Sequence, residues 1–203
     1  RQLGYTVVDP VNVIGTHLME VIRRHAHELF TRQDTKRLLD RLAQDQPKIV
    51  EDLVPKQIPF ATVQKVLQNL LRERVSIRDA GSILEALGEA SSMTRNTTLL
   101  TEFVRQVIRR TVVKPYLNSA GDLAVYFVDP EIERLIETAV EHGEHQSHMN
   151  LAPQQIRGLV ERFQRAFPLS EARSGGSSRA GSRHFLRQIS ETTLPSVAIL
   201  GRN

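Results

Sequence analysis

Cysteine is absent from the 203 residues. That excludes a disulfide framework, a thiol nucleophile and a cysteine-ligated zinc site, and it is compatible with a reducing compartment. Tryptophan is absent too, and aromatic residues make up 5% of the chain, so a stacking platform for single-stranded nucleic acid is poorly supplied. Apolar runs extend over a few residues at a time, short of the ~20 that a membrane-spanning helix requires. A large charge imbalance is missing as well. The 27 Lys and Arg face 23 Asp and Glu for a net charge of +4, which permits an acidic partner without requiring one. No signal-peptide pattern opens the chain. Its first residue is Arg1, and we expect it to be a piece of something longer.

What is present is ordinary globular composition, 40% hydrophobic and 25% charged, with length for one or two domains. Near the start, Tyr5 to Val8 reads as a short strand. Asp9 then serves as a helix N-cap with Pro10 at the first helical position. The helix that follows carries Ile14, Leu18, Val21, Ile22 and Leu29 at helical period. The same junction recurs later, with a strand over Leu123 to Val128, then Asp129-Pro130 and a helix over 129–141.

Helix follows helix between these junctions. Thr31 and Asp34 have capping-box spacing. Pro55 and Pro59 mark a linker. A helix pair follows at roughly 61–73 and 77–90, with Ser76 and Asp79 as a second capping box. A longer helix runs from about Thr98 to about Val113, stopping before Pro115. After the second junction, "HGEHQSHMN" reads as a polar connection. A helix spans Pro153 to near Phe167. The Gly/Ser-rich stretch 171–182 reads as a linker whose composition argues against regular structure. A last helix, about 182–193, precedes Pro195 and the short strand "VAIL". The fold class expected is α+β, mainly helical: a strand–helix piece over 1–30, an all-helical subdomain over 31–110 and a small α/β subdomain over 111–203.

The helix pair "VQKVLQNLLRERVSIRDAGSILEAL" has the spacing of a DNA-binding helix-turn-helix. Its second helix would offer Arg78, Asp79, Ser82, Glu85 and Glu89. One positive charge against three negative repels phosphates, and counterion release needs Lys and Arg clusters. The alternative is a packed pair with Val63, Val66, Leu67, Leu70, Ile83, Leu84 and Leu87 as core. Arg105, Arg109, Arg110 and Lys114 form a basic stripe that complements a helix C-terminus. It reads either as a solvated face or as a contact for an acidic partner or neighbouring subunit. His142, His145 and His148 suggest a metal site, but no carboxylate stands with them at ligand spacing and Gly143 weakens a helix there. His25 and His27 lie on different faces of one helix. "GSSRAGS" has the glycine spacing of a phosphate loop but neither its lysine nor a preceding apolar strand. Nothing in the residues argues for an enzyme, a metal or another cofactor.

The stretches "GYTVVDPVNVIGTHLMEVIRRHAHELFTRQDTKRLLD", "EDLVPKQIPFATVQKVLQNLLRERVSIRDAGSILEAL" and "LLTEFVRQVIRR" resemble the cytoplasmic domain of the FHIPEP family of type III export-gate proteins. The resemblance runs from about Gly4 through Phe167 and resumes at "HFLRQISETTLPSVAIL". "VSIRD" is shared with injectisome relatives, whereas "LVP" and "THL" look flagellar. The resemblance implies an N-terminal multi-span membrane region outside this sequence and a cytoplasmic part that joins a nine-membered ring below the export channel. It also implies docking of export chaperones with their substrates, contacts with other export components, and no nucleic acid. Membrane attachment would come only through the N-terminal region. On the family's "THL" motif, Thr16 is the partner-contact candidate, with Arg105 and Arg109 of the basic stripe added. A threonine bonding its own helix backbone is the alternative for Thr16. Family members place a hydrophobic strand before the last helix. Here that region is "SEARSGGSSRAGS", and the expectation is a sheet short of its central strand.

Overall fold

The computed structural model describes residues 9–166, 175–194 and 197–202. The strand expected at Tyr5 to Val8 lies outside these residues, as do 171–174 of the expected linker. Helix α1 (Pro10–Arg24) starts where Asp9 accepts a hydrogen bond from the Val11 amide, with proline at the first position. No residue of α1 is buried, and Val11, Ile14, Leu18 and Ile22 are exposed. The short α2 (Ala26–Leu29) leads to α3 (Arg32–Asp45). There Thr31 and Asp34 form the expected capping box in both directions.

Four helices then build the first core: α4 (Pro47–Leu53), α5 (Phe60–Arg72), α6 (Ala80–Ser91) and α7 (Thr97–Val107). Their apolar residues recur at helical period, so each presents one stripe inward. From α5 come Val63, Val66, Leu67 and Leu70, and from α6 Ile83, Leu84 and Leu87. The helix pair is thus the packed centre of this core. Gly88 lets α4 approach closely, since a Cβ there would meet Leu53 Cδ2 at 2.7 Å. The capping at α6 differs from the expected box. Asp79 is itself the N-cap and accepts from the Ser82 amide, while Ser76 Oγ accepts from the Arg78 amide, one position short of the Asp79 amide that the box requires. The long helix expected to Val113 is interrupted at Ile108, and α8 (Arg109–Val113) resumes after it. Across that break Val104, Ile108 and Val112, four residues apart, stay in the same core.

A second core forms around a three-stranded parallel sheet. Strand β1 (Val125–Phe127) precedes α9 (Pro130–Ala139), again capped by Asp129. The hairpin β2 (Val140–His142) and β3 (Ser147–Met149) is antiparallel, which corrects the expected irregular connection. Asn96, at the start of α7, explains it. Its side chain donates to Gly143 O at 2.7 Å and contacts Ser147 Oγ at 3.1 Å, holding the turn from outside. Helix α10 (Pro153–Ala166) follows.

The expectation for the Gly/Ser-rich stretch is overturned. Residues Gly175–Arg179 are β4, the central strand, in the order β1-β4-β5 with β5 (Ala198–Arg202). The strand is paired on both edges. Its stability rests on the backbone ladder, which any residue with an amide can supply. Small side chains suit this place: Ser177 and Ser178 are buried, and Ser178 Oγ lies 2.8 Å from Ser182 Oγ of α11 (Ala180–Ser190). Glu133 of α9, itself 0% exposed, accepts from the Arg179 amide and from Arg202 Nη2, each at 2.9 Å. Ile132, Ile136, Leu159, Phe163, Phe185, Leu186 and Ile199 complete this core. Overall the molecule is α+β and mainly helical.

Candidate functional site

The two cores meet at a charged seam. Helix α11 runs along it and presents Arg183, whose side chain is 1% exposed. A guanidinium so placed is tolerated only if its donors are used. Arg183 Nη2 donates to Glu73 Oε1 at 2.8 Å and Nε to Glu102 Oε2 at 2.6 Å, and Nη1 also reaches Ile199 O at 3.2 Å. Further short contacts join Nη1 to Glu73 Oε2 and Nη2 to Glu102 Oε1. Glu73 ends α5 and Glu102 lies on α7, so one side chain of the second core clamps two helices of the first.

Electrostatics follow the geometry. Burial alone would raise the Glu73 pKa, but the Arg183 and Arg105 guanidiniums outweigh it and hold the carboxyl at about 2. Burial lowers the pKa of His184, the neighbour of Arg183 in sequence, which favours its neutral form. Arg187 donates to Val197 O at 2.8 Å, tying α11 to the entry of β5.

Arg105 is buried here, not on a solvated stripe as one reading of the sequence had it. Its side chain is 7% exposed and Nη1 stands 3.2 Å from Glu73 Oε2. Burial lowers its pKa, with Arg183 adding to the effect. Arg109, Arg110 and Lys114 are exposed. Burial thus separates Arg105 from the rest of the stripe. Thr16 is exposed on α1. Among the described residues, Thr16, Arg105 and Arg109 are not joined to one another by a hydrogen bond or an ion pair.

His142, His145 and His148 are placed by the hairpin rather than gathered: His142 Nδ1 lies 2.7 Å from Ser147 Oγ, and the His145 carbonyl accepts from the Thr97 amide at 2.9 Å. Glu73, Glu102 and His184 do gather, with ligand atoms within 4.8 Å of one another. A metal ion there would compete with Arg183 for both carboxylates, and a guanidinium already fills that place. These donors fit an ion-pair network better than a metal. Sequence reasoning missed the seam. Glu73, Glu102 and Arg183 each look like an ordinary charged helix residue, and only the crossing of α5, α7 and α11 makes them neighbours.

Comparison with known proteins places this architecture. The family model described as FHIPEP matches residues 1–203. The flagellar biosynthesis protein FlhA of Bacillus subtilis is 33% identical over 204 residues, covering 99% of this chain and 30% of that protein. FlhA of Escherichia coli is 43% identical over 140 residues, covering 69% of this chain and 20% of that protein. The chain thus spans less than a third of the length of either relative. Among solved structures, the Chlamydia pneumoniae CdsV in its complex with CdsO superposes with a TM-score of 0.85 at 25% identity, over 99% of this chain and 60% of that chain. The nonameric EPEC SctV-C superposes with a TM-score of 0.83 at 24% identity, over 93% of this chain and 57% of that chain, and shares the fold.

Proposed function

The chain belongs to the FHIPEP family, and on that premise we propose that it is a cytoplasmic part of a bacterial flagellar type III protein export gate. The observation that carries this reading is similarity to a flagellar biosynthesis protein across 99% of the chain. The chain acts through protein contacts and not as an enzyme. Its partners are flagellar export chaperones carrying their substrates, other components of the export apparatus, and further copies of itself in a ring. The SctV-C relative is described as nonameric, which supports the ring. The full protein sits at the cytoplasmic face of the inner membrane. No helix among the described residues is long and apolar enough to cross a membrane, so attachment would come from elsewhere in the protein.

In the same proposal the chain divides into 1–30, the end of a preceding subdomain, 31–110 and 111–203. Two apolar cores support the later division, although Val112 and Leu200 of the last segment pack into the first core. The exposed apolar face of α1 supports the earlier one. Thr16 is the partner-contact residue on α1, and Arg109 with Arg105 serves the contacts of the α7–α8 region.

Deletion of the gene in the organism that encodes it tests the reading. Loss of flagellar filaments, restored by the intact gene and less well by a Thr16→Ala allele, is the expected result. Normal filament export after deletion overturns it.

A further inference from the structure

A cavity of about 450 Å³ opens between the C-terminal end of α1, the α5–α6 turn, the segment after α8, and β5. Four arginines from four segments line it: Arg23 of α1, Arg74 of the turn, Arg105 of α7 and Arg187 of α11. Glu73 is the acidic residue of the lining, and both of its oxygens are already engaged by Arg183. Arg105 Nη1 is buried and near Glu73, yet no hydrogen bond of acceptable geometry satisfies it. A buried guanidinium donor without an acceptor is expensive, and a ligand oxygen would relieve it.

Arg74 is the second sign. It occupies the left-handed position that closes α5, with φ of 60°. The amides of Arg74 and Val75 donate back to Leu71 O and Leu70 O, the pattern in which glycine is the low-strain residue. An arginine kept there carries backbone strain. Its side chain reaches the rim, where Nη2 meets Glu20 of α1 at 2.7 Å. That carboxylate is half-exposed and can exchange for another.

We infer that this cleft binds an acidic peptide segment of a protein partner, with one carboxylate seated at Arg105 and others met by Arg23 and Arg74 at the rim. Val75, Val112 and Val197 also line the cavity. They suit the aliphatic part of a glutamate chain, which a bare phosphate lacks. Low-dielectric walls around like charges focus the field on an incoming anion. The inference goes beyond the export-gate reading and stands without it, because it depends only on the charge and shape of the cleft.

Calorimetric titration of the 203-residue chain with a capped hexaglutamate peptide tests it. Saturable binding that weakens as salt rises is expected. Arg23→Gln and Arg74→Gly each weaken it roughly five-fold, and Arg105→Lys, which loses the planar fork, roughly ten-fold. Arg134→Gln, on the exposed side of α9, leaves it unchanged. Arg74→Gly relieves backbone strain, so it stays informative if Arg105→Lys fails to fold. Absence of saturable binding at low salt, equal affinity in the rim variants, or inorganic phosphate binding as tightly as the peptide overturns the inference.

Discussion

Arg183 and Glu73 lie 110 positions apart in the chain and meet fork to fork, Nη1 to Oε2 and Nη2 to Oε1. Arg183 is 1% and Glu73 9% exposed, and the same guanidinium holds Glu102 through Nε and Nη2. Breaking a buried pair on one side leaves the other charge uncompensated. Arg183→Met is therefore expected to destabilise the chain by about 3–5 kcal/mol, read as a lower urea midpoint. Combining it with Glu73→Gln should give less than the sum of the two losses.

The same pair makes stability acid-sensitive. The folded pKa of Glu73, about 2, lies below its ordinary 4.5. A depressed carboxyl contributes stability fully above the unfolded value and loses it as pH falls toward the folded one. The contribution is about 3 kcal/mol, lost between roughly pH 5 and pH 2. His184, with its pKa also lowered by burial, adds a loss that begins as pH drops through the ordinary histidine range. Urea midpoints measured from pH 7 to pH 3 should fall, and Glu73→Gln should flatten the lower part of that slope.

Asn96 performs two tasks at once. Its Oδ1 accepts from the Thr98 and Leu99 amides, capping α7, and its Nδ2 donates to Gly143 O in the hairpin turn. Asn96→Ala is expected to lower stability by about 2 kcal/mol, from the cap and the orphaned carbonyl together. Asn96→Asp retains the cap but not the donor. Hydrogen exchange should then rise at the β2–β3 turn while α7 stays protected.

Glu133 fastens α9 to the ends of β4 and β5 through the Arg179 amide and the Arg202 side chain. Glu133→Ala should cost about 1–3 kcal/mol, because the Arg179 amide and the Arg202 side chain lose a buried acceptor. Faster exchange of the Arg179 amide than of amides in α5 and α6 would locate the effect. Uniform loosening of both cores would contradict it.

The first core tolerates cavities poorly. Leu87 is fully buried among Val63, Leu67 and their neighbours. Leu87→Ala should lower stability by about 2–5 kcal/mol, read as the shift in a urea unfolding curve.

Much of the helical order was legible because its signals are local. Asp9-Pro10, Thr31 with Asp34, and Asp129-Pro130 each act within one turn of backbone, and each caps a helix where expected. The apolar period of the two helices joined at Ser76 likewise predicted Val63, Leu67, Ile83 and Leu87 as core. Side-chain hydrophobicity failed as a guide at β4, since "GGSSR" is held by ladders on both edges. It failed at the hairpin too, where Asn96 supplies the restraint from 47 positions away.

By itself the sequence determined most of the helices, the caps at Asp9, Thr31 and Asp129, the apolar residues of the α5–α6 pair and the family resemblance that the comparisons bear out, because periodicity and capping chemistry act over a few residues. Only the tertiary structure decided that Arg105 is buried, that a glycine–serine strand fills the centre of the sheet, and that Glu73, Glu102 and Arg183 form one network. Those facts depend on which distant segments come to lie side by side, and burial then sets the strength of every charge between them.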